Sequence, residues 1–226
     1  VQINFLLSNV QHELATRSRR DMEGIARQAL LVRYDHRDQG ISDKWPHVPT
    51  TADYVRDLEA VVDKLELEQF ILISVHGGGY PIAFAYAGAH PERVLALTAV
   101  VGGPAADFTV ALADMPGADW RFVSDALARR IVGPGESAAV ENMAEDLRAS
   151  TNLEGLRRMN DWYAHSRREV DAEAVQARTL LLLAPYGDYG DDSLTEGRAL
   201  AARMPNAIMQ PRGGGESPLF NLNIRS

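Results

Sequence analysis

The sequence predicts an α/β fold: a mostly parallel sheet with helices on both faces. Three observations predict it. Short apolar runs rich in β-branched residues recur along the chain. They are near-continuous rather than alternating, as strands covered on both faces are. Amphipathic helical stretches separate them, which is the rhythm of βαβ units. And Gln69 to Tyr80 reads as a strand, a tight glycine turn and a helix in immediate succession.

The expected strands are Ile3–Leu7, Ala29–Tyr34, Gln69–Val75, Val94–Val101 and Thr179–Ala184, with a weaker one at Ala207–Gln210. The first helix between them covers Thr51–Leu65. It opens on Thr50, Thr51, Ala52 and Asp53, and its apolar positions Tyr54, Leu58, Val61, Val62 and Leu65 share one face. Pro81–Ala89 is a helix starting at a proline, where a missing N–H costs little. Asp192–Met204 is a third, stopped by Pro205, and Asp191 or Asp192 fits its N-cap. The stretch from Gly102 to Gln176 has no convincing strand. It reads as helices over Trp120–Ile131, Ser137–Arg148, Leu153–His165 and a short one near Asp171. Such an insertion usually lies over the sheet's carboxyl edge, where ligands bind. The expected division is therefore a core half at 1–101, a helical cap at 102–176 and a second core half at 177–226.

Composition excludes several classes. The chain has 226 residues, 46% hydrophobic and 24% charged, in the range of a globular domain. A net charge of −8 argues against a nucleic-acid partner, which needs a basic stripe. The dense basic cluster Arg17, Arg19, Arg20 falls in a helical stretch and reads as a solvated face. There is no cysteine, hence no disulfide and no thiolate chemistry. No apolar run reaches the roughly 18 residues of a membrane span, so no membrane partner is expected. A cytoplasmic location is the expectation, and a homo-oligomer is compatible with the sequence.

Around the glycine turn the sequence runs Ser74, Val75, His76, Gly77, Gly78, Gly79, Tyr80. It lacks the lysine and the spacing of a phosphate loop. His76–Gly79 also resembles the His-Gly-Gly-Gly oxyanion loop of one esterase class, for which Gly135, Glu136, Ser137, Ala138, Ala139 would carry the nucleophile. No buried strand precedes Ser137, so it reads instead as a helix N-cap. A lone histidine at a strand end is more often structural than catalytic. His12, His36, His47, His90 and His165 read as surface or loop residues.

Four motifs in order resemble the α/β-hydrolase superfamily. Tyr34, Asp35, His36, Arg37, Asp38, Gln39, Gly40, Ile41, Ser42 is similar to its Tyr-Asp-x-Arg-x-x-Gly-x-Ser turn. Asp53–Asp63 resembles the helix before its nucleophile elbow, and His90, Pro91, Glu92, Arg93, Val94 the exit of the helix after it. Gly197–Ala201 with Met204–Ala207 resembles the last helix and strand. The flavour is that of aclacinomycin-methylesterase-like hydrolases and of hydrolase domains found beside adenylate cyclases, with the N-terminal edge strands missing.

The resemblance implies a Ser-His-Asp triad, and here the chain departs from it. An elbow needs small residues two before and two after its nucleophile, and Ser74 and Gly78 meet that demand. The nucleophile's own place holds His76. Asp188 fits the acid's place, and Glu216, two residues before Pro218, stands where the histidine belongs. Residues 166 to 226 contain no histidine. Gly77 would supply one oxyanion N–H, with Ser8 and Asn9 near the other. Trp120 and Trp162 could line an apolar pocket, together with Phe122, Met143, Leu147, Met159 and Tyr163, though such spacing also suits packing between cap and sheet. The expectation is a hydrolase homologue with a degraded triad that binds a small apolar ligand or a partner. The alternative is an active hydrolase of small esters or lactones using His76, since histidine can form covalent intermediates. No cofactor is expected. A metal held by His76, Asp188 and Glu216 is chemically conceivable, but no metal site is expected.

Overall fold

The computed structural model describes residues 1–3, 9–10, 18–75, 78–101, 106–133, 137–183 and 192–211. Its sheet has five parallel strands in chain order: β1 (Gln2–Ile3), β2 (Phe70–Ser74), β3 (Val94–Val101), β4 (Arg178–Leu183) and β5 (Ala207–Pro211). A single parallel bridge from Gln2 to Arg33 adds one residue on the outer side of β1.

That bridge corrects the expected strand at Ala29–Tyr34. Helix α1 (Ser18–Ala26) keeps hold of the chain beyond its last residue. The N–H groups of Gln28 and Ala29 both return to the Ile25 carbonyl, and Leu30 is 78% exposed. Backbone becomes free to pair only from Val32, whose carbonyl accepts from Gln2 N at 2.9 Å.

Helix α2 (Thr51–Lys64) starts on a reciprocal cap: Thr50 Oγ1 accepts from Asp53 N at 3.1 Å, and Asp53 Oδ2 accepts from Thr50 N at 2.7 Å. Its Tyr54, Leu58 and Val62 join the main core. Helix α3 (Tyr80–Ala89) is apolar nearly all round and is buried accordingly. Helix α8 (Asp192–Arg203) packs so closely on β4 that a Cβ on Gly197 would sit 2.2 Å from Leu183. These helices cover the face that carries Phe70, Leu72, Leu97, Ala99, Leu181 and Leu183. Val100, Leu180 and Leu182 form a separate buried cluster, so the middle strands are covered on both sides.

Between β3 and β4 the chain forms α4 (Ala106–Ala113), α5 (Trp120–Val132), α6 (Ser137–Ser150) and α7 (Leu153–Ser166). Helix α4 is not among the helices expected, because its run of small and apolar residues has little polar contrast. The expected helix near Asp171 is instead a turn. There the Asp171 carboxylate accepts from Glu173 N at 3.2 Å and Ala174 N at 3.3 Å, a bond pattern that competes with helix. The insertion has its own core, Leu112, Val123, Leu127, Leu147 and Leu156 among its members, and Met159 packs against both cores.

The Tyr34–Ser42 turn ties these parts together. Asp35 accepts from Val10 N at 2.8 Å and Ile41 N at 3.3 Å, and its backbone carbonyl takes Ser42 Oγ at 2.6 Å. Gly40, at φ 53°, leaves the space: a Cβ there would lie 2.1 Å from the Asp35 carboxylate. Arg37 grips Asp57 of α2 with two bonds, at 2.8 and 2.6 Å. Asp38 receives Arg158 of α7 at 3.0 and 3.1 Å and Trp45 N at 2.7 Å. His36 lies in a loop, as expected, but not at the surface. It is fully buried, edge-on to Tyr34 at 4.6 Å and to Tyr54 at 5.5 Å.

Two outcomes are expected. Arg158→Met removes the partner of a carboxylate whose side chain is 6% exposed, and should cost about 3 kcal/mol in urea denaturation. Burial pushes the His36 imidazole down to about 4, so the unfolded chain takes up a proton near pH 6.5 that the folded one refuses. Stability from this group is complete above pH 6.5 and is lost as pH falls toward 4, about 3 kcal/mol in all. His36→Phe should flatten the stability–pH slope in that window by one proton.

Candidate active site

The strand order locates the crevice. From β1 the chain goes outward to Arg33, then crosses back to β2 on the other side of β1. The order reverses there, and ligands in open α/β sheets bind beyond the carboxyl ends of the strands at such a point. Here those ends are Ile3 of β1 and Ser74 of β2, which are register partners.

Only five residues separate strand β2 from the next helix here. β2 ends at Ser74, and α3 begins at Tyr80 with Gly79 as its N-cap. Gly79 is wedged against both strand ends. A Cβ on it would stand 2.7 Å from Ser74 Oγ and 3.0 Å from Ile3 Cγ2. Gly79 thus approaches both strand ends, while His76 and Gly77 of the expected elbow lie outside the described residues.

Beyond the bend lies a polar linkage that the sequence did not announce. The Tyr80 hydroxyl donates to Glu196 Oε1 of α8 at 2.5 Å. Arg167, just past α7, holds the same carboxylate with bonds of 3.0 and 2.6 Å and lies 5.4 Å over the Tyr163 ring. Burial and the neighbouring Glu196 carboxylate push the Tyr80 phenol well above the usual tyrosine range. The start of α3, the end of α7 and the early part of α8 share this one carboxylate.

Of the residues singled out from the sequence, His76, Gly77, Ser8, Asp188 and Glu216 lie outside the described residues. Asn9 is described: its Nδ2 donates to Ser150 Oγ at the end of α6, at 3.0 Å. Trp120 packs against the insertion core, its indole nitrogen buried. Trp162 stands in the main core, edge-on to Tyr54 at 4.7 Å, and donates to Thr51 Oγ1 at 3.2 Å. Phe122 is 48% exposed. His90 bonds Glu59 at 3.0 Å, and His165 is exposed with Nδ1 2.6 Å from its own helix's Asp161 carbonyl. Ser137 opens α6, and among the described residues no strand stands between α5 and α6, as expected of a serine outside an elbow. Among the described residues, no three His, Asp or Glu side chains gather as a metal site requires. Among them too, no helix is long and apolar enough to cross a membrane.

Gly79→Ala should destabilise the fold by about 1–3 kcal/mol through overpacking. Adding Ser74→Gly should recover part of that loss, because it removes the closer of the two clashes. A double-mutant cycle in urea with no coupling between the two positions would contradict this geometry.

The model of the α/β-hydrolase fold matches residues 9–133. No curated protein is similar enough in sequence to match the chain. Solved structures do match. A hydrolase from Pseudomonas aeruginosa PA01 is 20% identical, with a TM-score of 0.73 over 93% of this chain and 79% of that one. The enol-lactonase from Burkholderia xenovorans LB400 is 16% identical, with a TM-score of 0.71 over 93% and 80%. A hydrolase from Oleispira antarctica is 14% identical, with a TM-score of 0.72 over 93% and 80%. At these identities the likeness is one of fold, and it agrees with the parallel sheet. Since the family model covers more than half of the sequence, the chain belongs to the α/β-hydrolase-fold family.

Proposed function

We propose that this protein is a non-catalytic or impaired member of its family, which holds a small, partly apolar ligand in the crevice beyond β1 and β2. The supporting observation is a mismatch between backbone and chemistry. Gly79 packs against the ends of both β1 and β2. The residue at the nucleophile's place between β2 and Gly78 is nevertheless His76, and Glu216 stands at the position of the base. Acyl transfer of the family type needs a hydroxyl or thiol, an imidazole to take its proton and an acid to orient that imidazole. With a carboxylate in the base's place, Asp188 has no imidazole to orient. The helical insertion at 102–176 would act as a cap over the ligand, between core halves at 1–101 and 177–226.

The second reading is an active hydrolase of small esters or lactones with His76 as the attacking group. The same tight bend favours it, since a sharp turn is what exposes an apex side chain. Histidine can carry an acyl group, but release of that group by water then lacks an evident base.

A panel of p-nitrophenyl esters separates the two. No hydrolysis above background is expected, and none that His76→Ala alters. Hydrolysis abolished by His76→Ala would establish the second reading in place of the first. Combining His76→Ser with Glu216→His rebuilds the triad on an unchanged bend, and measurable ester turnover is expected of that double variant.

A further inference from the structure

Helices α5 and α6 form a hairpin whose outer side is charged in two rows. Only positions 133–136 join them. Near the far end, Arg148 of α6 donates to Asp125 Oδ1 of α5 at 2.7 Å and to Ser124 Oγ at 3.1 Å. The two helices are therefore antiparallel neighbours. Val123 and Leu127 of α5 belong to the insertion core, as do Ala144 and Leu147 of α6. The helical period then puts Phe122 and Arg129, seven apart, on the solvent side of α5, and both are exposed. It puts Glu141, Glu145 and Ala149, four apart, on the solvent side of α6, and all three are exposed.

The two rows differ in sign. The row on α5 joins a cation to a large exposed aromatic ring, and the nearby Asp125 is already held by Arg148. The row on α6 joins two carboxylates to a small residue. Among the described residues, Arg129, Glu141 and Glu145 take part in no ion pair. An anionic membrane or a nucleic acid does not fit this face, because any phosphate brought to Arg129 would also meet Glu141 and Glu145. A fitting partner must carry an acidic row opposite α5 and a basic row opposite α6. A second copy turned half a revolution about an axis parallel to the helices presents those rows. That rotation keeps each residue at its own height along the hairpin. Counting four residues along each helix from the Asp125–Arg148 bond, Arg129 stands level with Ala144, between Glu141 and Glu145. Phe122, by the same count, stands just past the level of Ala149.

We propose that the outer face of the α5–α6 hairpin docks on the same face of a second copy of this chain, forming a two-fold dimer. Arg129 of each copy sits between Glu141 and Glu145 of the other, and Phe122 of each covers Ala149 of the other. The proposal stands apart from the ligand-binding reading. Helices of 13 and 14 residues make a face about 20 Å long and, side by side, about 20 Å wide. That is about 400 Å² per copy, half of what a standard stable interface covers. The dimer is therefore weak, with a dissociation constant on the order of 100 μM, and salt weakens it further.

The test is sedimentation velocity of the full chain from about 1 μM to about 300 μM, at low and high salt. The wild type should associate at low salt and less at high salt. Two charge reversals are compared with it: Arg129→Glu, and Glu141→Arg combined with Glu145→Arg. Each alone should raise the dissociation constant at least about tenfold, since like charges then face each other twice per dimer. Phe122→Ser should weaken the dimer as well. An equimolar mixture of the two charge-reversed chains should associate again, because each then meets an opposite row on the other. All these side chains are exposed, so thermal unfolding of the variants should match the wild type. A wild type that stays monomeric at low salt would overturn the proposal. So would a dimer that neither reversal weakens, which would place the interface elsewhere, or a mixture that stays monomeric while its two components are folded.

Discussion

The ends of β1 and β2 leave no room for a side chain at residue 79, and much of the site's geometry follows from that crowding. A glycine there lets α3 begin almost on top of the strand that feeds it. The bend is then forced to the sheet's rim, at the place where the strand order reverses. A side chain at 79 would push α3 away from Ile3 and open the core formed by Tyr80, Ile82, Phe84 and their neighbours. The constraint is steric and indifferent to chemistry.

Around the bend the fold is secured by carboxylates that each serve several partners. Asp35 organises its own turn and the backbone at Val10. Asp38 collects Arg158 and the Trp45 amide. Glu196 collects Tyr80 and Arg167. Each joins segments far apart in sequence, and each is at least partly shielded from water, where charge-assisted bonds are strongest. Exposed pairs such as Arg203 with Glu173 contribute little by comparison.

What the sequence revealed, and what it hid, follows from the range of the interactions. The reciprocal cap of Thr50 and Asp53 spans three residues and was readable directly. The buried strands were readable because their whole apolar run lies within the segment itself. The motif at Tyr34–Ser42 was recognisable as a pattern, yet the burial of His36 was not, since the rings that enclose it include Tyr54 of α2. Glu196 looks like an ordinary polar residue on a helix. Its role depends on a partner 116 positions away. Helix α4 and the edge at Arg33 escaped for a different reason: α4 lacks contrast, and the end of α1 captures the backbone that the apolar run suggested would pair.

The fastening of α7 at its middle and just past its last residue carries a consequence for traffic. At the middle Arg158 neutralises a buried carboxylate, and past the end Arg167 neutralises a largely buried one. Swinging this helix outward would break both ion pairs at once, a cost of several kcal/mol. If the crevice takes a ligand as proposed, admission should therefore not depend on a swing of α7.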